Sequence, residues 1–202
     1  MSTRIAEPAA TMRKAPRQAR SRATVDAIVE AAAQVLCERG WSGFTTNEVA
    51  EVAGVSIGSL YQYFPNKLAL VAAMRRRHFA EVLAVLQGAA DRSASPPQLV
   101  ETLVDGLIAI HCNSPAYYQA MFDLPDPDGS RSTFAVFQTE YLGHYRAVIA
   151  AYRGRPADGI AAEILSSAIE GVIHNAARRG MLRQPEVRRE LTRLVTLYLD
   201  GA

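Results

Sequence analysis

The chain has 202 residues, 49% of them apolar and 21% charged, which suits a folded protein of one or two domains able to bury a core. No apolar run reaches the ~18 uncharged residues a membrane helix needs, the basic N-terminus lacks the apolar segment of a secretory signal, and Cys37 and Cys112 match no metal or redox spacing. A reduced, cytoplasmic setting with no cofactor and no membrane partner is therefore expected. The net charge of +2 is unevenly spread: residues 1–22 carry +5, residues 23–77 are balanced, and residues 78–202 carry −3. The basic excess lies at the N-terminal end, where a polyanion would be met.

In chain order, residues 1–20 are rich in Ala, Pro, Ser and Arg and are expected to form a disordered basic tail that can order on a polyanion. Residues 24–39 then place Val25, Ile28, Val29, Ala32, Val35 and Leu36 on one helical stripe, with Gly40 as the stop. Thr45 and Glu48 have the spacing of a capping box and start a second helix, which Gly54 ends. Ser56 is a good N-cap for a third helix, which Pro65 closes, and Asn66 caps a long fourth helix through Leu70, Met74, Phe79, Val82 and Leu86. A junction is expected near residues 75–95, inside that helix or at the break of composition at Ser93–Pro97. Further helices are predicted over 97–112, 115–123, 131–152, 157–179 and 185–199, with a polar loop from Leu124 to Gly129 and no strand. The fold class is thus all-α, with about nine helices.

The run TNEVAEVAGVSIGSLYQYF, Thr46 to Phe64, reads as a helix-turn-helix. Ala50 is small where the two helices must touch, and Gly54 supplies a positive φ in the turn. Val49, Ala53, Val55 and Leu60 form a small core. Ile57, Gly58, Ser59, Tyr61, Gln62 and Tyr63 are left partly exposed, where a recognition helix meets the major groove.

The stretch FTTNEVAEVAGVSIGSLYQYFPNKLAL, with the preceding IVEAAAQVLCERGWSGF, resembles the DNA-binding signature of the tetracycline-repressor (TetR) family over residues 22–74. Beyond residue 90 only the helical layout is similar. The resemblance implies a helix-turn-helix domain at 21–75, a helical ligand-binding and dimerisation domain at 76–202, and no enzymatic role. It implies that Thr46, Tyr61, Tyr63 and Lys67 meet phosphates and that Asn47 reaches a base edge or phosphate. Ser56, Ile57, Gly58 and Ser59 would lie against bases. The third helix holds no Arg or Asn, and Gln62 is its only amide, so direct base readout is thin. The Arg-rich tail would then supply much of the attraction to double-stranded operator DNA.

The family also implies a small-molecule effector bound among the later helices. His78, Leu103, Leu107, His111, Tyr118, Met121, Phe122, Phe137, Gln138, Tyr141, Glu170 and His174 combine aromatic surface with sparse polar groups, which favours a mostly hydrophobic or aromatic ligand. The same aromatics equally suit a plain core. Glu140 and His144 share a helix face, but with no third ligand no metal is expected. Residues 160–173 are apolar on more than one face, so a two-fold homodimer is expected through Ile164, Leu165, Ala168, Ile169, Val172, Leu191, Leu194 and Tyr198. A ligand that favours wrongly spaced recognition helices would release a palindromic operator. An enzyme lacks support, since no nucleophile elbow, phosphate loop or paired-carboxylate cleft is present. An architectural DNA binder, an activator, and a regulator without a ligand remain as alternatives.

Overall fold

Helix caps and apolar stripes divide the chain into its elements. The computed structural model describes residues 12, 19–91, 93–113 and 131–201, the side chains of 113 and 131–137 excepted. Among these there are eight helices and no strand: α1 Ala19–Gly43, α2 Thr46–Val52, α3 Ile57–Tyr63, α4 Lys67–Ala89, α5 Pro96–Asn113, α6 Arg131–Arg153, α7 Gly159–Arg178 and α8 Pro185–Asp200. Of the predicted tail, residues 19 and 20 already belong to α1 and the rest, residue 12 excepted, lies outside the described residues, as do the predicted helix at 115–123 and the predicted loop at 124–129.

The local signals act as their chemistry requires. Gly40 takes a φ of 62° and kinks α1 three residues before its end at Gly43. Thr45 accepts the N–H of Glu48 at 3.2 Å, Ser56 that of Ser59 at 3.1 Å, and Asn66 that of Ala69 at 2.9 Å. The box at Thr45 is only half made. The Glu48 carboxylate is held 2.7 Å from Arg39 at the end of α1 instead. Asp158 caps α7, and Pro185 opens α8.

The described residues fall into two units, one through residue 78 and the other from residue 79. In the first, α1 presents Val25, Ile28, Val29, Ala32, Val35 and Leu36 to a core shared with Phe44, Val49, Leu60, Phe64, Leu70 and Met74.

In the second unit α5 to α8 surround a core in which Leu103, Tyr145, Ile149, Leu165 and Val195 are wholly buried. This core is packed to contact at Gly106 of α5, where an added Cβ would stand 2.6 Å from a Val85 methyl of α4. Valine cannot swing away, because its branched Cβ fixes χ1. Gly106→Ala gains up to ~1 kcal/mol of helix propensity but must force this contact apart, at ~1–3 kcal/mol. A net loss of about 1 kcal/mol is expected in urea unfolding, and a gain would show that α4 and α5 separate freely.

Candidate nucleic-acid interface

The helix-turn-helix is built by α2, a turn and α3. Gly54 holds the turn with a φ of 66°, and the Val55 N–H returns to the Ala50 carbonyl at 3.0 Å. Any other L residue at Gly54 would bear roughly 1–2 kcal/mol of left-handed strain. Val49, Ala50 and Leu60 are buried in the crossing, whereas Ala53 and Val55 are only half-buried.

Asn47, Ser56, Ile57, Gly58, Tyr61 and Gln62 are exposed, and Thr46, Ser59 and Lys67 are half-buried. Tyr63 departs from the expectation. It is buried at 9% exposure, because it lies one turn after Leu60 and next to Phe64 on the inward face. The remaining hydroxyls are tied together. Thr46 Oγ1 lies 3.0 Å from the Tyr61 hydroxyl, which joins the start of α2 to the outer face of α3. Ser56 Oγ and Ser59 Oγ are 2.8 Å apart. The Lys67 ammonium stands 3.9 Å from the centre of the Trp41 ring. Sequence reasoning passed over Trp41, because a lone tryptophan carries no spacing signal.

Gly58 is informative by what surrounds it. An added Cβ would meet only Ser56 Oγ, at 3.9 Å. Nothing inside the protein requires glycine in this exposed helical position, where it costs up to ~1 kcal/mol relative to alanine. The space above Gly58 is open to solvent.

In the second unit, part of the expected ligand set converges. His111 is buried and its Nδ1 lies 2.7 Å from the Leu107 carbonyl. Its ring stands 5.3 Å from that of His174. The Tyr141 hydroxyl donates to the Glu170 carboxylate, and the Tyr141 and Tyr145 rings meet edge-on at 4.9 Å. Desolvation raises the Glu170 carboxyl, partly opposed by the bond from Tyr141. Leu103 and Leu107 are core, and Gln138 is exposed. His78 is buried but belongs to the first unit. Tyr118, Met121, Phe122 and the side chain of Phe137 lie outside the described residues. Glu140 and His144 face each other at 4.0 Å, and no group of three His, Cys, Asp or Glu among the described residues could hold a metal ion.

Desolvation, His111 and Arg178 together pull the His174 imidazole down to about 4, and burial lowers His111 as well. An unfolded chain takes up these protons near 6.5, the folded one only at lower pH. Stability present above that value is therefore lost as pH falls. A drop on the order of 1 kcal/mol between about pH 7 and about pH 5 is expected, allowing for the partial exposure of His174. His174→Gln should remove most of this slope in thermal melts, and a slope that persists would assign it to other groups.

The face expected to pair two copies is half different. Leu165 and Ile169 are buried in their own unit at 0–1% exposure, so they are not available to a partner, and Leu191, at 1%, reaches only the floor of the groove between α7 and α8. The inward stripe of α7 runs through Ala162, Leu165, Ile169 and Ile173, which turns Ile160 (69% exposed) and Ile164 (50%) outward. On α8, Leu194 (38%) and Leu197 (60%) point out. Ala168, Val172 and Tyr198 are half-buried beside them. An apolar groove of about 770 Å³ runs between the two helices, floored by Ala168, Gly171, Val172 and Leu191 and edged by Arg179, Glu186 and Glu190. Ile160 was read among the apolar residues of 160–173 but not placed at the interface, because a helix apolar on more than one face gives no phase, and Leu197 lies off the Val187, Leu191, Leu194, Val195 and Tyr198 stripe read on the last helix. No helix among the described residues is long and apolar enough to cross a membrane.

Residues 28–74 match the family of bacterial regulatory proteins described as tetR, and residues 95–199 match the tetracyclin repressor-like C-terminal domain. The transcriptional repressor KstR of Mycolicibacterium smegmatis is 30% identical over 94 residues, 46% of each chain. The chain spans less than half the length of the curated relatives it matches. Two solved structures share the fold. The fatty acid degradation regulator FadR of Bacillus halodurans superposes with a TM-score of 0.66 at 16% identity, covering 88% of this chain and 95% of that one. SmeT, the repressor of a Stenotrophomonas maltophilia multidrug efflux pump, superposes in its triclosan complex with a TM-score of 0.64 at 21% identity, covering 87% and 90%. With its helix-turn-helix and its C-terminal region both matched, the latter over more than half its length, this chain belongs to the tetracycline-repressor family of bacterial regulatory proteins.

Proposed function

We propose that the protein is a transcriptional repressor that binds a palindromic operator as a homodimer and releases it when a small, mostly hydrophobic or aromatic effector binds. The observation that carries this reading is α3: a short helix behind a left-handed glycine, with Ser56, Ile57, Gly58, Tyr61 and Gln62 facing solvent and no internal need for the glycine. The outward apolar stripe of α7 and α8 supports pairing of two copies, which would set two recognition helices in successive major grooves. Thr46, Asn47, Tyr61 and Lys67 are the phosphate contacts in this reading, with the basic tail adding sequence-independent attraction. The effector would lie in the second unit, near His111, Tyr141, Glu170 and His174. SmeT, which shares the fold, has been solved with triclosan, a case of the ligand class proposed.

The test is selection of bound fragments from genomic DNA by the purified protein, followed by footprinting. A discrete two-fold footprint supports the reading, and uniform coverage would favour an architectural binder. Gly58→Ala sharpens it. The variant should gain about 0.5–1 kcal/mol in thermal unfolding and yet lose operator affinity about tenfold, because the added methyl meets DNA rather than protein. Unchanged affinity would remove α3 from the groove.

A further inference from the structure

We propose that Trp41 is a positioning residue for DNA binding: its indole face holds the Lys67 ammonium in place for a phosphate. The inference rests on the reading of Lys67 as a phosphate contact.

Three observations carry it. First, Lys67 opens α4 and is placed against the helix dipole, with no acidic residue in the first turn to offset its charge. Its ammonium instead stands 3.9 Å from the Trp41 ring centre, on the electron-rich face. Second, the ring itself is fixed. Gly40 at a φ of 62° kinks the chain within α1, and the Trp41 ring just after the kink stacks on Phe44 at 5.8 Å and 24°. Phe44 is fully buried, so the platform is anchored in the core while Trp41 stays half-exposed. Third, Glu48 at the start of α2 is already engaged, its carboxylate held 2.7 Å from Arg39. A lysine stem that has already lost part of its freedom against an aromatic face forfeits less entropy when it meets a phosphate.

Trp41 is also the sole tryptophan of the chain, so its emission reads the stack directly. The experiment uses the full chain, a short mixed-sequence DNA duplex with a fluorescent end-label, and a salt series. Lys67→Met should weaken binding and lower the slope of log affinity against log salt by about 1, the loss of one phosphate contact. Trp41→Leu should lower the slope by a similar amount, Trp41→Phe by much less, and Trp41→Leu combined with Lys67→Met no more than Lys67→Met alone.

A second measurement leaves Trp41 in place and does not depend on the folding of its variants. The emission of Trp41 should change when DNA saturates the wild-type protein and stay unchanged in Lys67→Met at saturation. Additive effects of the two substitutions, or a full emission change in Lys67→Met, would overturn the inference while leaving DNA binding intact. An unaltered salt slope in Lys67→Met would overturn it too. Failure of the wild-type protein to bind any duplex would instead refute the DNA-binding reading itself.

Discussion

Leu194→Glu combined with Leu197→Glu is expected to leave the protein folded but monomeric, and to weaken operator binding about 10²–10⁴-fold. Both side chains are outward on α8, at 38% and 60% exposure, so the isolated chain loses little by the change. Across a two-fold axis each carboxylate would meet its own twin or the apolar face of α7, and burying an unpaired charge there costs several kcal/mol. The large effect on DNA follows from the loss of a second half-site held at high effective concentration. Sedimentation velocity and fluorescence anisotropy check the two parts separately. If the double variant stayed dimeric with full operator affinity, the α7–α8 face would not be the interface. Leu165→Glu is the contrasting change: at 0% exposure its charge enters the core, and the chain should fail to fold.

Phe44→Ala is expected to lower stability by about 3–5 kcal/mol, a large part of what a small domain has. Phe44 has no exposed surface and lies between the end of α1 and the start of α2, so its removal leaves a void where the chain turns into the helix-turn-helix. Urea unfolding followed by Trp41 emission measures this directly, because the two rings stack. DNA binding should fall with the folded fraction and recover at low temperature or low denaturant. A loss below about 1 kcal/mol would mean that the turn repacks around the void.

The starts of α2, α3 and α4 were readable in the sequence because each carries its own chemistry: Thr45, Ser56 and Asn66 each accept a backbone N–H of the first turn. The inward face of α1 was readable because its large apolar residues Val25, Ile28, Val29, Val35 and Leu36 recur at helical spacing on one stripe. The phase of α7 was not. Ile160, Ile164, Leu165, Ile169, Val172 and Ile173 cover more than one side, and only packing against α6 and α8 decides that Leu165 and Ile169 turn in. Tyr63 failed for a similar reason, since a tyrosine suits either side of a short helix until Leu60 and Phe64 fix its rotation. The second half of the capping box was lost to Arg39, a competitor that lies beyond the local window in which such a motif is recognised. Among the proposed ligand residues, the pairing of His111 with His174 and of Tyr141 with Glu170 depends on three helices meeting, which no spacing along one helix reveals.

The seven residues of α3 set a limit on how much a single copy can read. Leu60 and Tyr63 are committed to the core, and Gly58 presents no side chain, so few positions remain to distinguish one base pair from another. Such a reader can specify only a short word, far too short to mark one address among the ~10⁶ or more competing sites of a genome. In the proposed reading the missing information comes from syntax rather than vocabulary: two copies of the word, in inverted order, at a fixed spacing, on DNA that bends to suit. Mutations that alter the distance between the two recognition helices would then scramble the address without touching a single base contact.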